Sequence, residues 1–193
     1  MYPLENDSQI YEGTYNRRSI LKWGILAGIA GILPVPVDAA SRLLYPREKS
    51  LYLYNLHTDE SLDIVYWRKG KYLQDALHEI NYFLRDYRTD EVTSINKRLL
   101  DLLHNLHKRL GTDHPFHVIS GYRSPATNSY LRKCSRGVAK NSLHMYGKAI
   151  DINLPECKLS SLRQAALTLR AGGVGYYPAH DFIHVDVGRV RSW

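Results

Sequence analysis

From Ser142 to Asp151 the chain reads Ser-Leu-His-Met-Tyr-Gly-Lys-Ala-Ile-Asp, and Asp181-Phe-Ile-His-Val-Asp186 follows further on. Two imidazoles, His144 and His184, and the carboxylate of Asp151 are the donor types of a catalytic zinc site, three protein ligands with a fourth position left to water. A structural zinc is normally closed by four protein ligands, and neither Cys134 nor Cys157 has zinc-finger spacing. The expected cofactor is therefore Zn2+, and the expected chemistry is metal-assisted hydrolysis. Such hydrolysis also needs a carboxylate that is not a ligand, to take a proton from water and pass it to the leaving group. Asp181, three residues before His184, and Asp186, two after it, both qualify. Asp186 could instead orient a histidine through its second nitrogen, so the base stays open between the two.

Alternation predicts how these groups meet. After Gly147, Ala149, Asp151 and Asn153 fall on one side of a strand and Ile150, Ile152 and Leu154 on the other. In the second stretch Ile183, Val185 and Val187 share one face, and Phe182, His184 and Asp186 the other. Asp151 and His184 can thus face each other on adjacent strands. His144 would point to the opposite face of an unbroken strand, but Gly147 permits a turn that brings it round.

The remaining elements form the support. Leu51–Leu56 and Leu62–Trp67 read as a hairpin. Tyr72–Tyr87 carries a helical stripe of Leu73, Leu77, Ile80 and Leu84, and a second helix starts near Ser94 or Asn96 and ends at Gly111. His104 and His107 on that helix read as packed or solvated residues, because no carboxylate or cysteine joins them at ligand spacing. Phe116–Ser120 is a strand, Gly121–Pro125 the turn that leaves it, and Thr127–Ser135 a helix. A further helix, Ser160–Ala171, is expected to be capped by Ser160 and stopped by Gly172-Gly173. The fold class is α+β: a small antiparallel sheet with the ligands on one face and helices on the other.

At the N-terminus, Arg17-Arg18 and Lys22 precede the apolar run Trp23–Leu33, two prolines and a small-residue site at Val37-Asp-Ala39. That order is a signal peptide, and the arginine pair resembles a twin-arginine export signal. The apolar run is shorter than the ~20 residues needed to span a bilayer, so no stable membrane span is expected after cleavage. The expected divisions are a leader at 1–39, a linker at 40–50 and a catalytic domain at 51–193. Export places the protein in the periplasm, where a disulfide between Cys134 and Cys157 is permitted but not demanded.

The pattern Ser-x-His-x-x-Gly-x-Ala-x-Asp, with a later strand bearing the last His, resembles the M15 zinc peptidases of peptidoglycan, in the murein endopeptidase K-like branch. Asn55-Leu-His-Thr, Ser120-Gly-Tyr-Arg-Ser, Ser135-Arg-Gly-Val-Ala-Lys and Arg170-Ala-Gly-Gly-Val-Gly-Tyr-Tyr-Pro carry the likeness from Leu51 to Trp193. The resemblance implies a hedgehog/D-Ala-D-Ala peptidase-like fold and cleavage of peptide cross-links of peptidoglycan. It assigns Arg123 to the scissile carbonyl or a substrate carboxylate, where a fixed guanidinium favours developing negative charge. Asp181 stands where many relatives in the wider family carry Glu, one methylene longer. Alternatives are a D-Ala-D-Ala carboxypeptidase or a non-catalytic peptidoglycan-binding protein that keeps its zinc site.

The formal charge of +7 over 193 residues suits nucleic acid, an acidic membrane or an acidic polymer alike, and composition alone does not choose among them. The basic residues are scattered, with no Lys/Arg run interleaved with aromatics, so no nucleic-acid partner is expected. Oligomeric state has no signature in the sequence.

Overall fold

The computed structural model describes residues 47–135 and 137–193, so the expected leader lies outside the described residues. The hairpin forms as β1 (Glu48–Asn55) and β2 (Ser61–Arg68), with β3 (Lys71–Tyr72) beyond β2. β1 begins inside the stretch read as linker, where Glu48 meets Arg68 and Lys49 meets Asp101, each at 2.8 Å. Two helices follow, α1 (Gln74–Phe83) and α2 (Lys97–Leu110). Asn96 caps α2 by accepting the Arg98 N–H at 3.0 Å, and Gly111 ends it at φ 64°. Leu77, Ile80 and Leu84 of the first stripe are buried and Leu73 half-buried, and Leu99, Leu103 and Leu106 of α2 are buried with them. His104 and His107 serve packing: one contacts the Ser50 carbonyl at 3.1 Å, the other the His114 carbonyl at 2.9 Å while stacking on Phe116.

β4 (Phe116–Ser120) leads into α3 (Pro125–Cys134), whose first turn is capped by Ser124. A 3-10 turn (Leu143–Tyr146) precedes β5 (Ala149–Asn153), and α4 (Leu159–Leu169) leads to β6 (Gly173–Tyr177). A second 3-10 turn (Pro178–His180), β7 (Phe182–Asp186) and β8 (Arg191–Ser192) complete the order. All strands join one sheet in the order β3-β2-β1-β4-β5-β7-β6-β8.

The class is α+β, as read, but the sheet is eight-stranded and mixed: β1 with β4 and β6 with β8 pair in parallel. The first parallel pairing follows from the long excursion through β2, β3, α1 and α2, since only a long crossover lets a strand return in the same direction. Leu51, Leu53, Phe116, Ile150, Ile152, Ile183 and Val185 join the helical leucines in a core that is closed to solvent. Alternation then leaves Asp151 and His184 on the opposite face of β5 and β7.

α4 departs from expectation at both ends. Lys158 occupies the N-cap without a side-chain hydrogen bond, and Arg170 ends the helix at φ 49°. Gly172 and Gly173 instead let the chain pass Asp186: a Cβ on Gly172 would run into the Asp186 carbonyl, and one on Gly173 into Arg191 and the Asp186 carboxylate. Gly172→Ala is therefore expected to cost about 3 kcal/mol, at the upper end of overpacking. A urea-melt difference below about 0.5 kcal/mol would mean that the strand shifts without strain.

Cys134 and Cys157 carry free thiols, so the permitted disulfide does not form here. Among the described residues no helix is long and apolar enough to cross a membrane.

Candidate metal centre

β5 and β7 pair antiparallel with Asp151 opposite His184, a register that alternation permits. His144 arrives from the 3-10 turn, which Gly147 closes at φ 59° with its N–H on the His144 carbonyl at 3.2 Å. The three residues are 2%, 6% and 9% exposed for His144, Asp151 and His184, and their donor atoms converge. His144 Nε2 lies 3.1 Å from His184 Nδ1 and 3.2 Å from Asp151 Oδ1, and His184 Nδ1 lies 2.9 Å from the same oxygen.

The far nitrogens fix the tautomers. His144 Nδ1–H donates to the Gly121 carbonyl at 2.7 Å, and His184 Nε2–H to Asp186 Oδ2 at 3.1 Å. Each histidine thus turns a bare lone pair toward the ionised Asp151, and three lone pairs this close repel unless a cation or a proton lies among them. A tetrahedral ion with bonds of ~2.0–2.1 Å sets its ligands roughly 3.3 Å apart, so the donor set fits zinc in type and in spacing. Burial pushes the His184 pKa down, but Asp151 and Asp186 outweigh that and raise it. Burial pushes His144 down. Burial opposes the charge of Asp151 too, yet His144 and His184 hold its carboxyl well below the usual range.

The two carboxylates proposed as bases are placed very differently. Asp186 is fully buried, and its Oδ1 accepts the N–H groups of Gly173 at 2.9 Å and Gly188 at 2.8 Å. Arg191 adds bonds to both oxygens at 3.2 and 2.7 Å, which together with His184 leaves no lone pair for water. Burial opposes its charge, but these donors hold its pKa well below the usual carboxylate range. Asp181 is exposed, in the left-handed region at φ 52°, and accepts Asn153 Nδ2 at 2.6 Å. Asn153 is the next residue after Asp151 on that face of β5, and through it Asp181 is tied to the strand that carries Asp151, with one oxygen free of that bond. Asp181 itself does not line the cavity over the triad, whereas its neighbour His180 does.

Arg123 reaches the centre from the turn after β4, where its Nη2 bridges Asp151 Oδ2 and Ser120 Oγ at 3.0 Å each. A cavity of about 290 Å3 opens over the triad, walled by Arg123, the 137–143 loop, Tyr177, Phe182, Arg191 and Trp193. Ser142 is buried and lines it, whereas Tyr146 is 53% exposed and lies outside its lining. Sequence reasoning missed Ser120, the Gly121 carbonyl, Arg191 and Trp193.

The Arg123 turn is itself held by Asp86, 1% exposed, which accepts the Ser124 N–H at 2.8 Å and the Arg88 N–H at 3.0 Å. Burial raises the Asp86 pKa, but Thr127, Ser124 and Arg88 outweigh it, and the net shift is downward. A carboxyl with a depressed folded pKa adds stability that is complete above its unfolded pKa and is lost as pH falls through the folded one. The advantage of wild type over Asp86→Asn in urea melts should therefore shrink from about pH 6 to about pH 3. An advantage constant with pH would remove Asp86 as the anchor of that turn.

Two histidines and an aspartate gathered on one face of a sheet, beneath a cleft and beside a fixed arginine, define a metallopeptidase. A family model described as peptidoglycan L,D-endopeptidase MepK matches residues 45–193, and the chain belongs to that M15-type family. It is 47% identical over 178 residues to the peptidoglycan L,D-endopeptidase MepK of Escherichia coli (strain K12), covering 92% of this chain and 97% of that protein. It is 40% identical over 174 residues to the probable peptidoglycan L,D-endopeptidase MepK of Haemophilus influenzae, covering 89% and 94%. A shorter match, 37% over 84 residues, relates it to the zinc D-Ala-D-Ala carboxypeptidase of Streptomyces albus G, covering 42% of this chain and 31% of that protein.

Proposed function

We propose that this protein is a zinc-dependent murein endopeptidase that hydrolyses L,D peptide cross-links of peptidoglycan in the periplasm, delivered there by a twin-arginine leader at 1–39. The observation that carries the reading is the set of three bare donor atoms, each aimed by a bond on its far side and gathered beneath an open cleft. The L,D class rests on the activity printed for the relatives of near full length.

His144 Nε2, Asp151 Oδ1 and His184 Nδ1 would hold the zinc. When bound, zinc supplies Lewis acidity toward a peptide carbonyl and makes water acidic enough to act as nucleophile near neutral pH. The Gly121 carbonyl and Asp186 keep the two imidazoles in their ligating tautomers. Arg123 holds the second oxygen of Asp151 with Nη2 and lines the cleft, where its fixed positive charge would stabilise the oxyanion. Asp181 accepts the proton of the attacking water and delivers it to the leaving amine, with Asn153 fixing its carboxylate. Asp186 orients His184.

The test is incubation of the purified protein with murein, with chelator and with zinc add-back, followed by mass analysis of the muropeptides. Loss of cross-linked dimers with gain of monomers, abolished by chelator and restored by zinc, is expected. Release of terminal alanine alone would replace the endopeptidase by a carboxypeptidase. Unchanged muropeptides with the protein sedimenting on the murein would make it a binding protein.

A further inference from the structure

Gly175 of β6 sits opposite His184 of β7, so any side chain at 175 would project beside that histidine on the ligand face. No side chain does; the place is taken by the indole of Trp193, whose ring atoms lie 2.7–2.9 Å from where a Cβ of Gly175 would stand. The indole is fixed from several directions. Its backbone N–H bonds the Val174 carbonyl at 3.2 Å and its carbonyl accepts the Tyr176 N–H at 3.0 Å. Its Nε1–H donates to the Tyr177 hydroxyl at 2.9 Å, and the Arg191 guanidinium sits 4.8 Å from the ring centroid while gripping Asp186. The ring stands 5.3 Å from the His184 ring and lines the same cavity as the triad, yet Trp193 remains 48% exposed. An indole secured so firmly gains nothing for the core from its exposed half. It presents a rigid apolar surface to whatever enters the cleft, at little entropic cost on binding.

The chemistry of the proposed substrate says what meets that surface. A cross-link between two stem peptides is an amide on a second amine, so the residue on the amine side of the scissile bond is a diamino acid. Its aliphatic stem begins at the amide nitrogen, one bond from the attacked carbonyl, and must lie beside the ligands when that carbonyl does. A terminal alanine offers only a methyl group at the same place.

We propose that Trp193, set in the gap that Gly175 leaves, is the subsite for the aliphatic stem of the cross-linking diamino acid and favours cross-linked over terminal substrates. This rests on the endopeptidase reading above and adds the residue that selects the amine side.

The experiment compares full-length wild type, Trp193→Leu, Trp193→Phe and Gly175→Ala for kcat and KM on a soluble cross-linked muropeptide dimer, with zinc content measured in parallel. Trp193→Leu should raise KM roughly tenfold, as befits the loss of a flat apolar contact, with kcat within about threefold and zinc unchanged. Trp193→Phe, which keeps a ring, should fall between. Gly175→Ala, which displaces the indole while leaving its chemistry intact, should raise KM in the same direction. Unchanged KM in Trp193→Leu overturns the subsite. So does loss of zinc in proportion to activity, which would show that Trp193 serves only to hold His184. A wild type that leaves the dimer intact overturns the endopeptidase reading itself, and the subsite falls with it.

Discussion

Asp151→Ala is expected to abolish zinc binding and to lower dimer cleavage by about a thousandfold or more. Lewis-acid stabilisation is worth several kcal/mol, and each 1.36 kcal/mol is tenfold in rate. Asp151 is the only anion among the three donors, and its Oδ1 lies within 3.2 Å of His144 Nε2 and His184 Nδ1. Removing it leaves two neutral imidazoles and brings the Arg123 guanidinium, now without its 3.0 Å partner, next to the place of a dication. The fold should survive, because Asp151 lies on the ligand face of β5 while Ile150 and Ile152 keep the core face. Chelation of wild type should reproduce the loss and zinc should reverse it, whereas added zinc should not rescue the variant. Cleavage by a zinc-free Asp151→Ala protein would end the metallopeptidase mechanism.

The ligand face was legible because strand alternation has a period of two and the chain obeys it. Putting Asp151 and His184 on one face needed only that Ile150, Ile152, Ile183 and Val185 all face inward, and burial enforces that; the pairing of their strands then sets them opposite each other. His144 was legible through Gly147, since a turn in the left-handed region is what glycine supplies. What stayed hidden was long-range. The pairing of β1 with β4 depends on how two intervening helices fold back, and no local pattern encodes it. The glycines at 172 and 173 read locally as a helix stop, but their need arises from Asp186, more than a dozen residues away in sequence. Trp193 and Arg191 reach the site through a short parallel strand with no alternation long enough to detect. The choice between Asp181 and Asp186 was undecidable for the same reason: the donors that occupy Asp186 come from Gly173, Gly188 and Arg191, whose approach only the folded sheet creates.

Asp186→Asn is expected to weaken zinc binding 10- to 100-fold, the usual effect of losing the outer partner of a ligating histidine. The argument runs through the tautomer. Asp186 accepts His184 Nε2–H at 3.1 Å, which keeps the hydrogen off Nδ1, the atom that faces the metal position. An asparagine of the same shape has one acceptor oxygen and one NH2 group. If the oxygen takes the Gly173 and Gly188 N–H groups, the NH2 confronts His184 and Arg191; if it turns to His184, the NH2 confronts the two backbone donors. The first arrangement drives the His184 hydrogen to Nδ1 and blocks the ligand atom. The second strains the tight passage at Gly172 and Gly173. Either way excess zinc should restore part of the activity, since all three ligands are retained, which separates this variant from Asp151→Ala. Competition against a chromophoric chelator gives the affinity, and a urea melt reports any loss of fold. Were Asp186 the general base instead, the variant would bind zinc as tightly as wild type and lose turnover that no amount of zinc restores, while Asp181→Asn would remain active.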